Sequence, residues 1–169
     1  MGRAKKSVPV RDTDEFRTAQ ESEQFRSWLL TQEAAIELEF AITDIPALKG
    51  HLYTREGLVI AEQEALSRYA SAQEAFSDDT GRVMRFVYFV GETLRREVEG
   101  TWAALPAEPP RTGQVPVIDA PYSLTFYSPV QMMRFALNRR TSHEIVTVYD
   151  NAVRAHQKWV EDRRPPRSR

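Results

Sequence analysis

The chain has 169 residues, of which 41% are hydrophobic and 28% are charged, and this is typical of one globular domain. It contains no cysteine, which excludes disulfides, thiol nucleophiles and thiolate metal sites. No apolar run approaches the ~18 residues that cross a bilayer, and the start of the chain lacks a signal-peptide core, so we expect a cytoplasmic protein with no membrane partner.

The net charge of −1 is distributed unevenly. Residues 1–11 and 163–169 each carry four basic residues and no acid, whereas residues 12–79 hold fifteen acids and five bases. Neither end has apolar residues at helical spacing, so we predict flexible basic segments at 1–11 and 163–169 around a single domain at 12–162. The acidic half favours a basic partner, although solubility alone also accounts for it.

The first half of the domain is predicted to be helical. Asp12 and Glu15 have the spacing of a capping box, and one long helix is expected from there to about Ile42, before Pro46 ends it. One side of this helix is apolar and much of the rest is glutamate. Thr54 is predicted to cap a second helix, which precedes a polar stretch near 71–79.

The central helix is predicted from Thr80 to Gly100, with Gly100 in the left-handed position after the last turn. Its apolar residues recur at three- and four-residue steps and cover most of the circumference: Val83, Phe86, Val87, Val90, Leu94 and Val98. A narrow charged line runs along the other side: Arg85, Glu92, Arg96 and Glu99. Arg85 is expected to be solvated, and a solvated surface and a polar pocket both stay open for Glu92 and Arg96. This helix should therefore form the centre of the core.

After Gly100 the pattern changes to short extended segments. Residues 101–105 and 115–118 are predicted to pair across a proline-rich loop, with 124–127 as a third candidate strand. Two further helices follow, one starting at Ser128 and one at a second capping box in 141–144. The predicted fold class is mainly α, of the α+β type, with about five helices around a central buried helix and a small two- or three-stranded antiparallel sheet.

One motif resembles a known pattern. Gly91, Glu92, Arg95, Arg96, Gly100 and Trp102 form the sequence GExxRRxxxGxW. Together with Tyr53-Thr54-x-Glu56-x-Leu58 and the Ser128 helix start, this motif resembles a family of uncharacterised bacterial proteins of high-GC, actinobacterial type. The resemblance covers residues 45–160 and implies no catalytic residue, ligand or activity. Thr54 stands where a serine is expected, and the proline-rich loop is long.

Two candidate sites follow from these patterns. The first is a polar site formed by Glu92, Arg95, Arg96, Trp102 and Tyr127. Helical ion pairs and a tryptophan that covers the helix end also explain these residues structurally, and we favour that explanation. The second is an acidic interaction face on the first two helices, formed by Glu33, Glu37, Glu62 and Glu64.

The sequence lacks the motifs that carry common chemistries, namely HExxH, the P-loop, GxGxxG and GxSxG, and its three histidines have no ligand spacing. No cofactor or metal is expected, and the acidic body disfavours nucleic acid. We therefore expect a non-catalytic protein that acts by protein–protein contact, for example an inhibitor or immunity-type partner of a basic target. The alternative is a small-molecule-binding or enzymatic protein using Glu92, Arg96, Trp102 and Tyr127. A deep pocket that joins those four residues would favour the alternative, and a flat, acidic, partly apolar face would favour the binding protein.

Overall fold

The computed structural model of the chain describes residues 8–167, and the fold within them is mainly helical with a small sheet. A 3₁₀ turn at Val10–Asp12 precedes the first helix, a π-helix at Ile36–Asp44 continues the second, and a 3₁₀ turn at Pro46–Leu48 follows the π-helix. The main elements are α1 (Asp14–Gln20), α2 (Glu23–Ala35), α3 (Arg55–Arg68), α4 (Ala72–Asp78), α5 (Thr80–Glu97), β1 (Thr101–Pro106), β2 (Gln114–Asp119), α6 (Pro129–Arg139) and α7 (Glu144–Glu161). The predicted fold class, mainly α with a small antiparallel sheet, is confirmed.

Helix α5 is the centre of the core, as its sequence predicts. Every residue from 86 to 94 is buried, and α5 packs against α2, α3, α4, α6 and α7. Phe86 and Phe89 extend this core to the π-helix, where the ring of Phe40 lies 5.0 Å and 5.7 Å from theirs. Fully burying side chains of this kind stabilises a fold by about 1.5–3 kcal/mol each, so α5 holds the helices together.

Two of the four residues of the charged line of α5 are not solvated: Glu92 is buried and Arg85 is half-buried, whereas Arg96 and Glu99 are exposed. The expectation of a solvated Arg85 is therefore wrong. Glu92 is only 4% exposed. Arg85 donates to Asp44 at 2.7 Å and pairs with Glu39 at 2.6 Å, which ties α5 to the π-helix. The sequence could not indicate this arrangement, because the partners of Arg85 lie more than forty residues earlier in the chain.

The end of α5 also differs from its prediction. Glu99, with φ at 53°, takes the left-handed position that was assigned to Gly100. Gly100 is required for another reason, since a Cβ there would lie 2.7 Å from the Cγ2 atom of Ile118. Because Gly100 has no side chain, the end of α5 can pack closely on β2.

The predicted long first helix is divided in two. Ser22 accepts a hydrogen bond from the backbone N–H of Phe25 and starts α2, while Thr13 rather than Asp12 caps α1. The break turns α1 toward the sheet, where Gln20 donates to the carbonyl of Ala104 and accepts from its N–H. Serine competes with helical backbone bonds through its own hydroxyl, which favours a new helix start at this point.

The sheet has two antiparallel strands, in the register Thr101↔Asp119 through Pro106↔Gln114. The candidate third strand at 124–127 contributes one isolated bridge, between Tyr127 and Ile118. The two strands and the isolated bridge both agree with the predicted two- or three-stranded sheet.

The domain bounds of 12 and 162 remain a prediction, but residues on both sides of them contact the domain. Arg11 and Arg167 pair with the same carboxylate, Asp119, at 3.0 Å and 2.7 Å. Arg164 pairs with Glu99 at 2.7 Å. Residues 1–7 and 168–169, which belong to the predicted basic segments, lie outside the described residues.

Candidate functional site

The structure brings together four of the five residues of the predicted polar site. The Oε1 atom of Glu92 accepts from Nη2 of Arg95 at 2.7 Å and from Nε of Arg96 at 2.8 Å. Its Oε2 atom accepts from Nε of Arg95 at 2.8 Å and from the indole Nε1 of Trp102 at 2.9 Å. We call these four residues the Glu92 cluster.

Local sequence explains how the cluster forms. Residues three and four apart share one side of a helix, so both arginines of α5 reach the same carboxylate. Trp102 arrives from β1 across Gly91, where an added Cβ would overlap its ring. Tyr88 then stacks on the indole with ring centroids 5.4 Å apart. The GExxRRxxxGxW motif therefore joins the end of α5 to the first strand.

The electrostatics keep Glu92 ionised. Burial raises the pKa of this carboxyl, but hydrogen bonds from Arg95, Arg96 and Trp102 outweigh burial and hold the pKa below its ordinary value of 4.5. The hydrogen bonds that Arg95 donates to Glu92 in turn raise the pKa of Arg95. A carboxylate that accepts four hydrogen bonds and has a lowered pKa is ionised near neutral pH, so it cannot act as a proton donor there.

The fifth predicted residue, Tyr127, has other partners. Its hydroxyl lies 3.1 Å from that of Tyr122, which also donates to the carbonyl of Ala152 on α7. An aromatic residue that sequence analysis did not assign to the site, Tyr53, takes a place beside the Glu92 cluster. The guanidinium of Arg96 lies 3.7 Å from the centre of its ring.

The four acids of the predicted interaction face do not share one surface. Glu33 and Glu37 are exposed on α2 and the π-helix, and neither makes an ion pair with any residue in the range 8–167. Glu64 pairs with Arg68 at 3.0 Å along α3. Glu62 is 1% exposed, so it does not belong to an exposed face.

Glu62 is instead the cap of the last helix. Its two carboxylate oxygens accept from the backbone N–H groups of Glu144 and Ile145, each at 3.0 Å. Burial raises the pKa of this carboxyl, and the two backbone hydrogen bonds offset only part of that effect. The predicted capping box in 141–144 is thus replaced by a cap from another helix.

A feature that sequence analysis missed lies beside Glu33 and Glu37. Leu30, Leu38 and Ile42 are 69%, 70% and 64% exposed, and the smaller Ala34 between them is exposed too. Their spacing of four residues places them on one side of the helix, opposite the buried Phe25, Ile36 and Phe40. The spacing is visible in the sequence and would have identified this second apolar side.

These four residues, Leu30, Ala34, Leu38 and Ile42, form an apolar stripe. The stripe borders a groove of about 370 Å³ between α2, the π-helix and the start of α5. Two other cavities, of about 140 and 480 Å³, lie near Phe25 and along the proline-rich loop. All three are lined by residues other than the Glu92 cluster. The cis peptide bond between Pro109 and Pro110 lies in that loop.

Within residues 8–167, no group of three or more histidine, aspartate or glutamate side chains is placed to hold a metal ion. None of the helices in that range is both long enough and apolar enough to span a bilayer. Comparisons of the chain with protein-family models, with curated proteins and with solved structures gave no match. The family suggested by the GExxRRxxxGxW motif accordingly stays a prediction.

Proposed function

We propose that this chain is a non-catalytic binding protein whose contact surface is the outer side of α2 and the π-helix. This surface, here called the α2 face, consists of Leu30, Glu33, Ala34, Glu37, Leu38 and Ile42. The observation that carries the proposal is the row of three large apolar side chains that are 64–70% exposed beside acids without ion pairs among the described residues.

A row of exposed apolar side chains favours a surface that contacts a partner. Single exposed apolar residues are ordinary on protein surfaces, whereas a contiguous row with polar edges is typical of contact sites. Covering one such side chain completely is worth about 1.5–3 kcal/mol, from which the entropy of association must be subtracted. The π-helix adds support, because π-helical turns are rare and occur often at functional sites.

The charge of the α2 face indicates the kind of partner. Glu33 and Glu37 on this face have no ion pair with any residue in the range 8–167, whereas the nearby Glu39 and Asp44 are paired with Arg85, so the face carries two unpaired negative charges. From Leu30 to Ile42 the stripe runs for about 18 Å, the length of a short helix. We therefore propose an amphipathic helix with basic flanks as the segment of the partner that docks here.

A cytoplasmic inhibitor or immunity-type protein fits this surface, because such a protein acts by covering a basic target and needs no catalytic group. Opposite potentials would speed its association and fix its orientation. The alternative, a small-molecule or enzymatic site around Glu92, Arg96, Trp102 and Tyr127, has less support. The carboxylate of Glu92 is occupied by its own chain, and the hydroxyl of Tyr127 is paired with Tyr122.

A peptide-binding experiment tests the electrostatic part of the proposal. The probe is a synthetic helical peptide of about 18 residues with a leucine stripe flanked by lysines, and its dissociation constant is measured by fluorescence anisotropy. We expect the double variant Glu33→Lys/Glu37→Lys to weaken binding at least about tenfold, and more strongly at low salt.

The matched control is Glu108→Lys/Glu161→Lys, which makes the same charge change at exposed positions away from the α2 face. This control should weaken binding much less. Equal weakening by both variants, or equal binding of a peptide with glutamates in place of its lysines, would contradict the proposal.

A further inference from the structure

The chain turns back after α7, and residues 164–167, here called the strap, contact the body of the fold. Nη2 of Arg164 donates to Oε1 of Glu99, just after α5, at 2.7 Å. This hydrogen bond holds the pKa of Glu99 below its ordinary value of 4.5, so the carboxylate is ionised near neutral pH. Nη2 of Arg167 donates to Oδ1 of Asp119, the last residue of β2, also at 2.7 Å. The strap thus has an arginine at each end, and a carboxylate receives each one.

Two prolines and a tryptophan complete the contact. Residues 165 and 166 are both proline, which favours an extended, polyproline-like backbone in which residues three apart lie about 9 Å from each other. The indole Nε1 of Trp159 donates to the carbonyl of Pro165 at 2.9 Å, and the guanidinium of Arg164 lies 5.4 Å from the centre of the indole ring. Proline-rich segments bind aromatic surfaces in other proteins because such segments lose little conformational freedom on binding.

The residues that receive the strap are also held by other contacts. Arg11, near the opposite end of the chain, pairs with Asp119 at 3.0 Å. Nε2 of His156 lies 3.2 Å from Oε1 of Glu99, and the ring of His156 packs against that of Trp159 with centroids 5.8 Å apart. None of these contacts involves the strap, so we expect the site to keep its shape when the strap leaves it.

The strap itself is held weakly. The side chains of Arg164 and Glu99 are 51% and 46% exposed, and exposed ion pairs contribute little to stability. Nε of Arg167 is buried and donates to no acceptor within residues 8–167, which is unfavourable. Arg163 and Arg164 have φ angles of 66° and 54°, a conformation that is strained in residues other than glycine. A segment that makes further contacts can therefore displace the strap.

We propose that Glu99, Asp119 and Trp159 form a binding site for a partner segment with two arginines three residues apart, and that the strap occupies this site until the partner arrives. The two carboxylates set the spacing of the arginines, and the indole N–H binds a backbone carbonyl between them. The partner segment is extended and rich in proline, because it replaces a strap of that kind. The inference does not depend on the α2 face, which is formed by other helices.

The first measurement tests whether the two arginines close the strap. The strap variant is Arg164→Ala/Arg167→Ala, and its matched control, Arg111→Ala/Arg163→Ala, removes two exposed arginines that make no ion pair within residues 8–167. Hydrogen exchange of the Trp159 indole N–H, followed by NMR, should be at least about tenfold faster in the strap variant and unchanged in the control. Equal exchange in the native protein and the strap variant would overturn the inference.

The second measurement adds the acetylated and amidated peptide Arg-Pro-Pro-Arg, which copies residues 164–167. We expect saturable shifts of the Trp159 indole signal and a dissociation constant at least about tenfold lower for the strap variant than for the native protein, in which the tethered strap competes. Adding Glu99→Gln or Asp119→Asn to the strap variant should weaken binding about tenfold, and the peptide Ala-Pro-Pro-Ala should not bind. Equal affinity of the native protein and the strap variant would overturn the inference. So would equal binding of the two peptides, or no binding of either.

Sedimentation separates a partner from a second copy of this chain, which carries the same strap. Each strap is tethered to its own site and so has a high effective concentration there. We therefore expect the native protein and the strap variant to have the same oligomeric state. A dimer that forms in the native protein and is lost in the strap variant would show that a second copy occupies the site, and it would overturn the assignment to a partner.

Discussion

Glu62 and Glu64 lie two residues apart on α3, and their surroundings give them different roles. Glu62 is buried and accepts from two backbone N–H groups at the start of α7. Glu64 is at the surface and pairs with Arg68 one turn later on the same helix. A side chain that satisfies two free N–H groups of a helix start contributes far more to stability than an exposed ion pair.

Removing each acid should reveal this difference. We expect Glu62→Ala to lower the free energy of unfolding by about 1–3 kcal/mol, because two buried N–H groups lose their acceptor. Glu64→Ala, the matched control on the same helix, should cost about 0.5 kcal/mol or less. Urea denaturation of both variants measures the two values. Equal losses would show that the cap contributes no more than the exposed ion pair of Glu64.

The carboxylate of Glu92 gives a stability that depends on pH. Its folded pKa is held below the ordinary value of 4.5, so the unfolded chain takes up a proton there more readily than the folded one. The resulting stabilisation is therefore complete above pH ~4.5 and is lost as pH falls through the lower, folded pKa.

The variant Glu92→Gln tests the direction of this pH dependence. We expect the variant to lose about 2 kcal/mol of unfolding free energy at pH 7, since three hydrogen bonds from two guanidinium groups lose their charged acceptor. The difference between native protein and variant should shrink in chemical denaturation below pH 4. A difference that stays constant from pH 7 to pH 3 would contradict the lowered pKa.

At the scale of elements, Arg85 joins α5 to the π-helix. Its guanidinium lies between Glu39 and Asp44, and the side chain of Asp44 is 8% exposed. The π-helix ends at this aspartate, and its inner side carries Phe40 into the core. The ion pair and the aromatic contact therefore fix the same element at two points.

Arg85→Ala should consequently destabilise the protein by about 1–3 kcal/mol, because a nearly buried carboxylate loses its closest cation. Arg26→Ala, an exposed arginine on α2, is the matched control and should change stability by less than about 0.5 kcal/mol. Thermal and urea unfolding of the two variants provide the comparison. A silent Arg85→Ala would restore the expectation that Arg85 is solvated.

For the whole molecule, local patterns predicted the elements better than the contacts between them. The apolar periodicity of α5 identified the central helix, because a helix that is apolar on most of its circumference has to be buried. The strands and the Ser128 helix start were likewise visible in turn residues and caps. The break at Ser22 was missed, since it depends on Gln20 reaching the sheet more than eighty residues later.

The candidate site shows the same limit. The spacing of Glu92, Arg95 and Arg96 predicted that they share one side of α5, and Trp102 was expected near them. That the carboxylate would be buried and fully bonded could not be predicted, because its fourth donor comes from another element. The four-residue apolar spacing of the α2 face is a local pattern and could be predicted from the sequence. Only the packing shows which of the two apolar sides of this helix is left exposed.

The central claim is that the exposed apolar stripe of the α2 face is a binding surface, and one comparison of dissociation constants tests it most directly. Binding of the lysine-flanked peptide is measured for the native protein, for Leu30→Ser/Leu38→Ser, and for Leu124→Ser, a leucine that is 59% exposed away from the stripe. We predict at least about tenfold weaker binding for the double variant, with unchanged stability, and native binding for Leu124→Ser. Native affinity in Leu30→Ser/Leu38→Ser would contradict the account.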